Sequence, residues 1–261
     1  MRNNTILDRL ACTSLILALV VAPATAQTIL GFDPPANVIE IPPSATPPGD
    51  YAVTCYLYDD VMIQVSDSKS PAPEDALILP QPENGARAKC GRSKPNSVKL
   101  SSAGFYFNGR LGDFLLFEAA DPGGASQFIV FNVRNGHQLF QDGVLGADGY
   151  LGLYGITSVK MTGGVLHMRY RRGVNAPCSL LSDRDRCWAQ LLSKGDIPRG
   201  AFSEPPTAEV CKKGYEGNPI GLMPPPDDDP SIVSYDVALT LDSNGNAEAQ
   251  PLSTPQCDPM P

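Results

Sequence analysis

Arg169, Tyr170, Arg171 and Arg172 form a basic run in a chain whose 20 Lys and Arg are outnumbered by 28 Asp and Glu. Guanidinium groups around an aromatic ring suit planar, bidentate recognition of a carboxylate or phosphate. Arg184 and Arg186 follow nearby. These residues are the candidate ligand-binding feature of the sequence. The competing explanation is a charged strand end, with the two later arginines paired to Asp183 and Asp185.

The other chemistry-bearing residues are scattered. His137 stands beside a tight-turn signal, and His167 alternates with Val165 and Arg169 on the polar side of a strand pattern, so neither reads as a general base. Asp227, Asp228 and Asp229 lie between prolines and lack the turn-forming glycine and spread of ligands of a calcium loop. Asp142-Gly143 and Asp148-Gly149 do not follow the calcium-loop order and read as turn geometry. The sequence contains no G-x-S-x-G elbow and no H-E-x-x-H, and no cofactor motif is found. No catalytic residue is assigned, although a pair of carboxylates acting on a glycan would be defined by spatial separation rather than by local sequence.

The cysteines carry the clearest chemistry. Arg2 and Arg9 precede an apolar stretch over residues 10–22, and Ala24-Thr25-Ala26 supplies the small residues that a signal peptidase reads. This predicts a leader over residues 1–26, cleaved before Gln27. The apolar stretch is shorter than the ~20 residues of a spanning helix and is broken by Pro23. Cleavage removes Cys12 and leaves six cysteines in 235 residues, with the net charge moving from −8 to −9. An even number in an oxidising compartment predicts three disulfides. Near-neighbour pairing gives Cys55–Cys90, Cys178–Cys187 and Cys211–Cys257, with Cys187–Cys211 as the closest rival. A zinc site is disfavoured, since none of the six has C-x₂₋₄-C spacing to another.

The elements that must position these residues are mostly strands. Residues 27–50 form a proline-rich arm that is expected to lie outside any sheet ladder. From Tyr51 the apolar residues alternate, and short runs recur over 51–57, 61–65, 76–79, 98–100, 105–107 and 114–117. Asn135-Gly136 and Gly163-Gly164 predict hairpins, and the alternation of Val233, Tyr235, Val237, Leu239 and Leu241 predicts a long final strand closed by Asn244-Gly245. A helix is expected from a Ser182 cap to Lys194, and a shorter one over 206–213 closed by Gly214. The expected fold is mainly β: a single antiparallel, sandwich-like domain over 51–261, with a small disulfide-tied helical segment near 178–214. A small propeller is the alternative arrangement.

Composition excludes some classes. Apolar content of 42% and charged content of 18% are those of a folded chain, and a pI near 4.7 argues against a nucleic-acid partner. The sequence thus predicts an exported protein, periplasmic or extracellular, with no membrane span after cleavage and an envelope or extracellular ligand. Its role is expected to be binding or structural. The alternative is an exported hydrolase of glycans or peptidoglycan using paired carboxylates.

Overall fold

Residues 114–117 (FLLF) and 128–131 (FIVF) show no alternation, and all eight side chains are buried. A strand of this kind needs cover on both faces. In the computed structural model, which describes residues 31–43, 51–68, 76–81, 89–91, 96–119, 125–145, 155–216 and 231–259, they occupy the middle layer of three antiparallel sheets. The expected leader over residues 1–26, Asp148-Gly149 and Asp227 to Asp229 lie outside the described residues.

Each sheet is built almost wholly from consecutive strands. The first is β1 (Asn37–Ile41), β2 (Tyr51–Leu57), β3 (Val61–Ser68), β4 (Leu77–Pro80) and β5 (Val98–Lys99), paired in that order. The second is the meander β6 (Phe105–Leu111), β7 (Phe114–Ala119), β8 (Ala125–Asn132) and β9 (Gln138–Leu145). The third pairs β10 (Ile156–Thr162), β11 (Val165–Asn175), β12 (Ser231–Leu241) and β13 (Ala247–Pro251), while β14 (Gln256–Pro259) adds to the other end of β12. Helices α1 (Arg184–Lys194) and α2 (Ala208–Glu216) sit between β11 and β12 in the chain.

Two cores separate the three layers. Leu115, Phe117, Ile129 and Phe131 of the middle sheet meet Ile63, Ile78 and Leu100 of the first. The ring of Phe107 links Tyr56 to Phe117, at centroid distances of 4.8 and 5.2 Å. Phe114, Leu116, Phe128 and Val130 face the other way, against Leu166, Met168, Tyr170, Val237 and Leu239. The chain is therefore mainly β and antiparallel, with the sandwich motif used twice around a shared middle sheet.

Turns fall where the sequence places them. Gly163 and Gly164 have φ of +60° and +80°, the left-handed pair that a two-residue hairpin requires. Three local expectations change. The arm does enter a ladder, because residues 37–41 lie between Pro35 and Pro42 without a proline and pair with β2 as an edge strand. Helix α1 begins at Arg184 rather than at a Ser182 cap, and Asp183 precedes it without a side-chain capping bond. Helix α2 runs through Gly214 to Glu216, so that glycine does not end it.

Candidate functional site

Strand alternation divides the basic run between two faces. Tyr170 is buried and Arg172 shares its face, whereas Arg169 is exposed and Arg171 shares the outer face with it. The structure therefore brings the four residues together along β11 but not onto one surface.

The inward pair meets Asp142 from β9. The Tyr170 hydroxyl donates to Asp142 Oδ2, and Arg172 Nε lies 2.8 Å from Asp142 Oδ1 as an ion pair. Arg172 also donates from a terminal nitrogen to the Tyr235 hydroxyl at 2.9 Å, and its guanidinium carbon lies 5.9 Å from the centre of that ring. The Asp142 side chain is 6% exposed and that of Arg172 16%. Burial pushes the Asp142 carboxyl above the usual carboxylate range, against the downward pull of Arg172 and the Tyr170 hydrogen bond. Burial and the neighbouring carboxylate likewise push the Tyr170 phenol far up, so it stays a proton donor to Asp142.

Two glycines deliver Asp142 to this position. A Cβ on Gly143 would lie 2.3 Å from the Gly173 carbonyl oxygen, and one on Gly173 would lie 3.0 Å from the Leu145 backbone. Only bare backbone lets β9 of the middle sheet cross β11 of the third so closely. The sequence reading of Asp142-Gly143 as a turn is thus corrected: both residues lie within a strand, and the glycine serves close approach. The signal that finds Asp142 is a glycine inside each of two strand patterns.

The outward arginine has its own partners. Arg171 donates to Ser234 Oγ from Nε and a terminal nitrogen at 3.2 and 2.9 Å, and Ser234 donates to Asp258 Oδ2 at 2.5 Å. Arg184 pairs with Asp185 at 3.2 Å and Arg186 with Asp183, so these two arginines serve the surface of α1. His137 and His167 are both exposed.

Elsewhere, Arg110 grips Asp60 with two nitrogens at 2.5 and 2.8 Å. Glu118, half-buried on β7, accepts from the Asn108 amide at 3.0 Å, and burial raises its carboxyl. Among the described residues, no group of three or more His, Cys, Asp or Glu is placed to hold a metal ion. No described helix is long and apolar enough to cross a membrane.

Disulfides join Cys55 to Cys90 and Cys178 to Cys187. The first ties β2 to the segment after β4, and the second ties the start of α1 to the end of the β11 connection. The third expected bond is not formed in this structure: Cys211 of α2 and Cys257 of β14 are two buried free thiols. Their packing on facing elements brings them into contact without a covalent link.

The fold and its polar groups define an antiparallel β protein of three layered sheets, pinned by disulfides and by a buried Asp–Arg–Tyr network. No protein-family model, curated protein or solved structure matches the chain.

Proposed function

We propose that this chain is an exported protein of the cell envelope or the extracellular space, acting as a binding or structural module. The observation that carries this reading is the pairing of Cys55 with Cys90 and Cys178 with Cys187 behind an N-terminal leader pattern. Disulfides of this kind persist in oxidising compartments, the destination such a leader specifies. A non-catalytic role is supported by the way Asp142 and Arg172 are engaged inside the protein.

The outer face of β11 then supplies the ligand contact. Arg169 is exposed beside half-buried Arg171, and together they suit an anionic group on a glycan or a protein. Co-sedimentation with isolated peptidoglycan and anionic envelope polysaccharides tests the reading, with release of reducing ends followed in the same samples. Binding that falls about tenfold in R169A/R171A, with no release, is the expected result.

The hydrolase reading draws on one specific observation: Glu118 and Asp142 are both carboxyls raised by burial, as a general acid requires. Turnover that disappears in E118Q or D142N, with the fold intact, would replace the binding module with a carboxylate-dependent hydrolase.

A further inference from the structure

We propose that Cys211 and Cys257 form a third disulfide, a clasp that fastens β14 to α2 and is made by thiol–disulfide exchange. Cys257 pairs with Val233 on β12, and both side chains enter the core between the second and third sheets. Cys211 enters the same core from α2. Gly214 lies three residues further along the helix and so on the same face as Cys211. A Cβ at Gly214 would lie 2.0 Å from the Cys257 carbonyl oxygen, so the glycine is what lets α2 seat directly on β14. That seating brings the two thiols together in one core, with Cys211 0% and Cys257 1% exposed.

The pair is chemically unequal. The Cys257 hydrogen bond, with the Arg184 cation adding to it, holds the Cys211 thiol below its ordinary range. The same hydrogen bond and burial push the Cys257 thiol up. The co-reactant is a disulfide, either a low-molecular-weight one or that of a thiol–disulfide oxidoreductase. The Cys211 thiolate attacks one oxidant sulfur, the oxidant S–S bond breaks, and its other sulfur leaves as a thiolate with the bonding pair. That thiolate takes the Cys257 proton. Cys257 Sγ then attacks Cys211 Sγ and expels the second oxidant sulfur, which takes the proton Cys211 had released. Two cysteine thiols are oxidised, and one disulfide is reduced to two thiols. Access requires only a small opening, since β14 has four residues and pairs with β12 alone.

In the cell the oxidant depends on the proposed export, but the test does not. The reduced full-length chain is refolded with glutathione disulfide, alkylated under denaturing conditions, digested and mapped. A Cys211–Cys257 linked peptide is expected beside the Cys55–Cys90 and Cys178–Cys187 peptides. Relative to the oxidised parent, C211S/C257S should lose about 10 °C in Tm. The clasp is overturned if Cys211 and Cys257 are both alkylated while the other two pairs are linked, or if Cys211 is linked to Cys187. A bond that forms in vitro but is missing from protein taken from producing cells would support the clasp and count against export.

Discussion

The middle sheet and the third sheet share an apolar core but differ in how much buried polar chemistry each carries beside it. In β7 and β8 the residues 114–117 and 128–131 are buried without exception, because each face of that sheet is the floor of a core. On β11 and β12, His167, Arg169, Asp236 and Thr240 are exposed, while Tyr170, Arg172 and Tyr235 form a buried network with Asp142, which reaches them from β9 at the edge of the middle sheet. The middle sheet draws its stability from apolar area removed from water, a term that is non-directional and tolerant of shape. The third sheet shares that apolar core and adds buried polar groups that keep specific partners, where loss of one partner leaves the other stranded.

Substitutions should separate the two mechanisms. The largest loss is expected in the middle sheet, where Phe117→Ala removes a ring that contacts Phe107 and Phe131 and should cost about 4 kcal/mol in urea unfolding, nearly independent of pH. Arg172→Met comes next. It leaves Asp142 without its cation and should cost about 3 kcal/mol near neutral pH.

That second loss should carry a pH signature. The folded Asp142 carboxyl is raised, so the folded state holds the proton more tightly than the unfolded one. Its contribution is fully present below the unfolded value near ~3.9 and is lost as pH rises through the raised folded value. Arg172→Met raises that carboxyl further. The variant should therefore recover much of its deficit between neutral pH and about pH 4, as Asp142 takes up a proton. A deficit that stays constant with pH would show that Arg172 acts by packing alone.

Asp142→Asn should cost less than Arg172→Met, about 1–2 kcal/mol, because it removes the carboxylate and keeps an acceptor for Tyr170. The smallest effect is expected at the other Asp–Arg pair. Asp60 is 63% exposed, and its hydrogen bonds to Arg110 hold its carboxyl below the ordinary range. Here the sign reverses: the contribution is present above the unfolded value and lost as pH falls through the folded one. Asp60→Asn should cost less than about 1 kcal/mol at neutral pH. A cost as large as that of Arg172→Met would erase the contrast between a buried and an exposed carboxylate.

Much of the fold is legible in the residues themselves. The Gly163-Gly164 hairpin, the alternation of β12 and the mainly β class follow from local chemistry, in which positive φ favours glycine and period two exposes one face. The layering is legible only in part. The unbroken FLLF and FIVF runs announce strands buried on both faces, but which sheets cover them depends on contacts far apart in the sequence. The candidate site is harder still. The basic run is visible, yet strand parity sends Arg172 inward and Arg171 outward, and the Asp142 partner comes from another sheet, 30 positions before Arg172. Gly143 and Gly173 mark that crossing only once both are known to lie within strands. Gly214 misleads in the same way: a helix-ending glycine takes a left-handed φ, whereas Gly214 stays within α2 and its lack of a side chain serves close approach to the Cys257 backbone.

Export into an oxidising compartment is the claim on which the proposed function turns. Its most direct test is the mass of the protein recovered, without reducing agent, from the envelope and medium of cells that produce the full-length chain. The account predicts a species beginning at Gln27 with Cys55 linked to Cys90 and Cys178 linked to Cys187. Recovery only from the cytoplasm, with residues 1–26 retained and those four cysteines as free thiols, would contradict it.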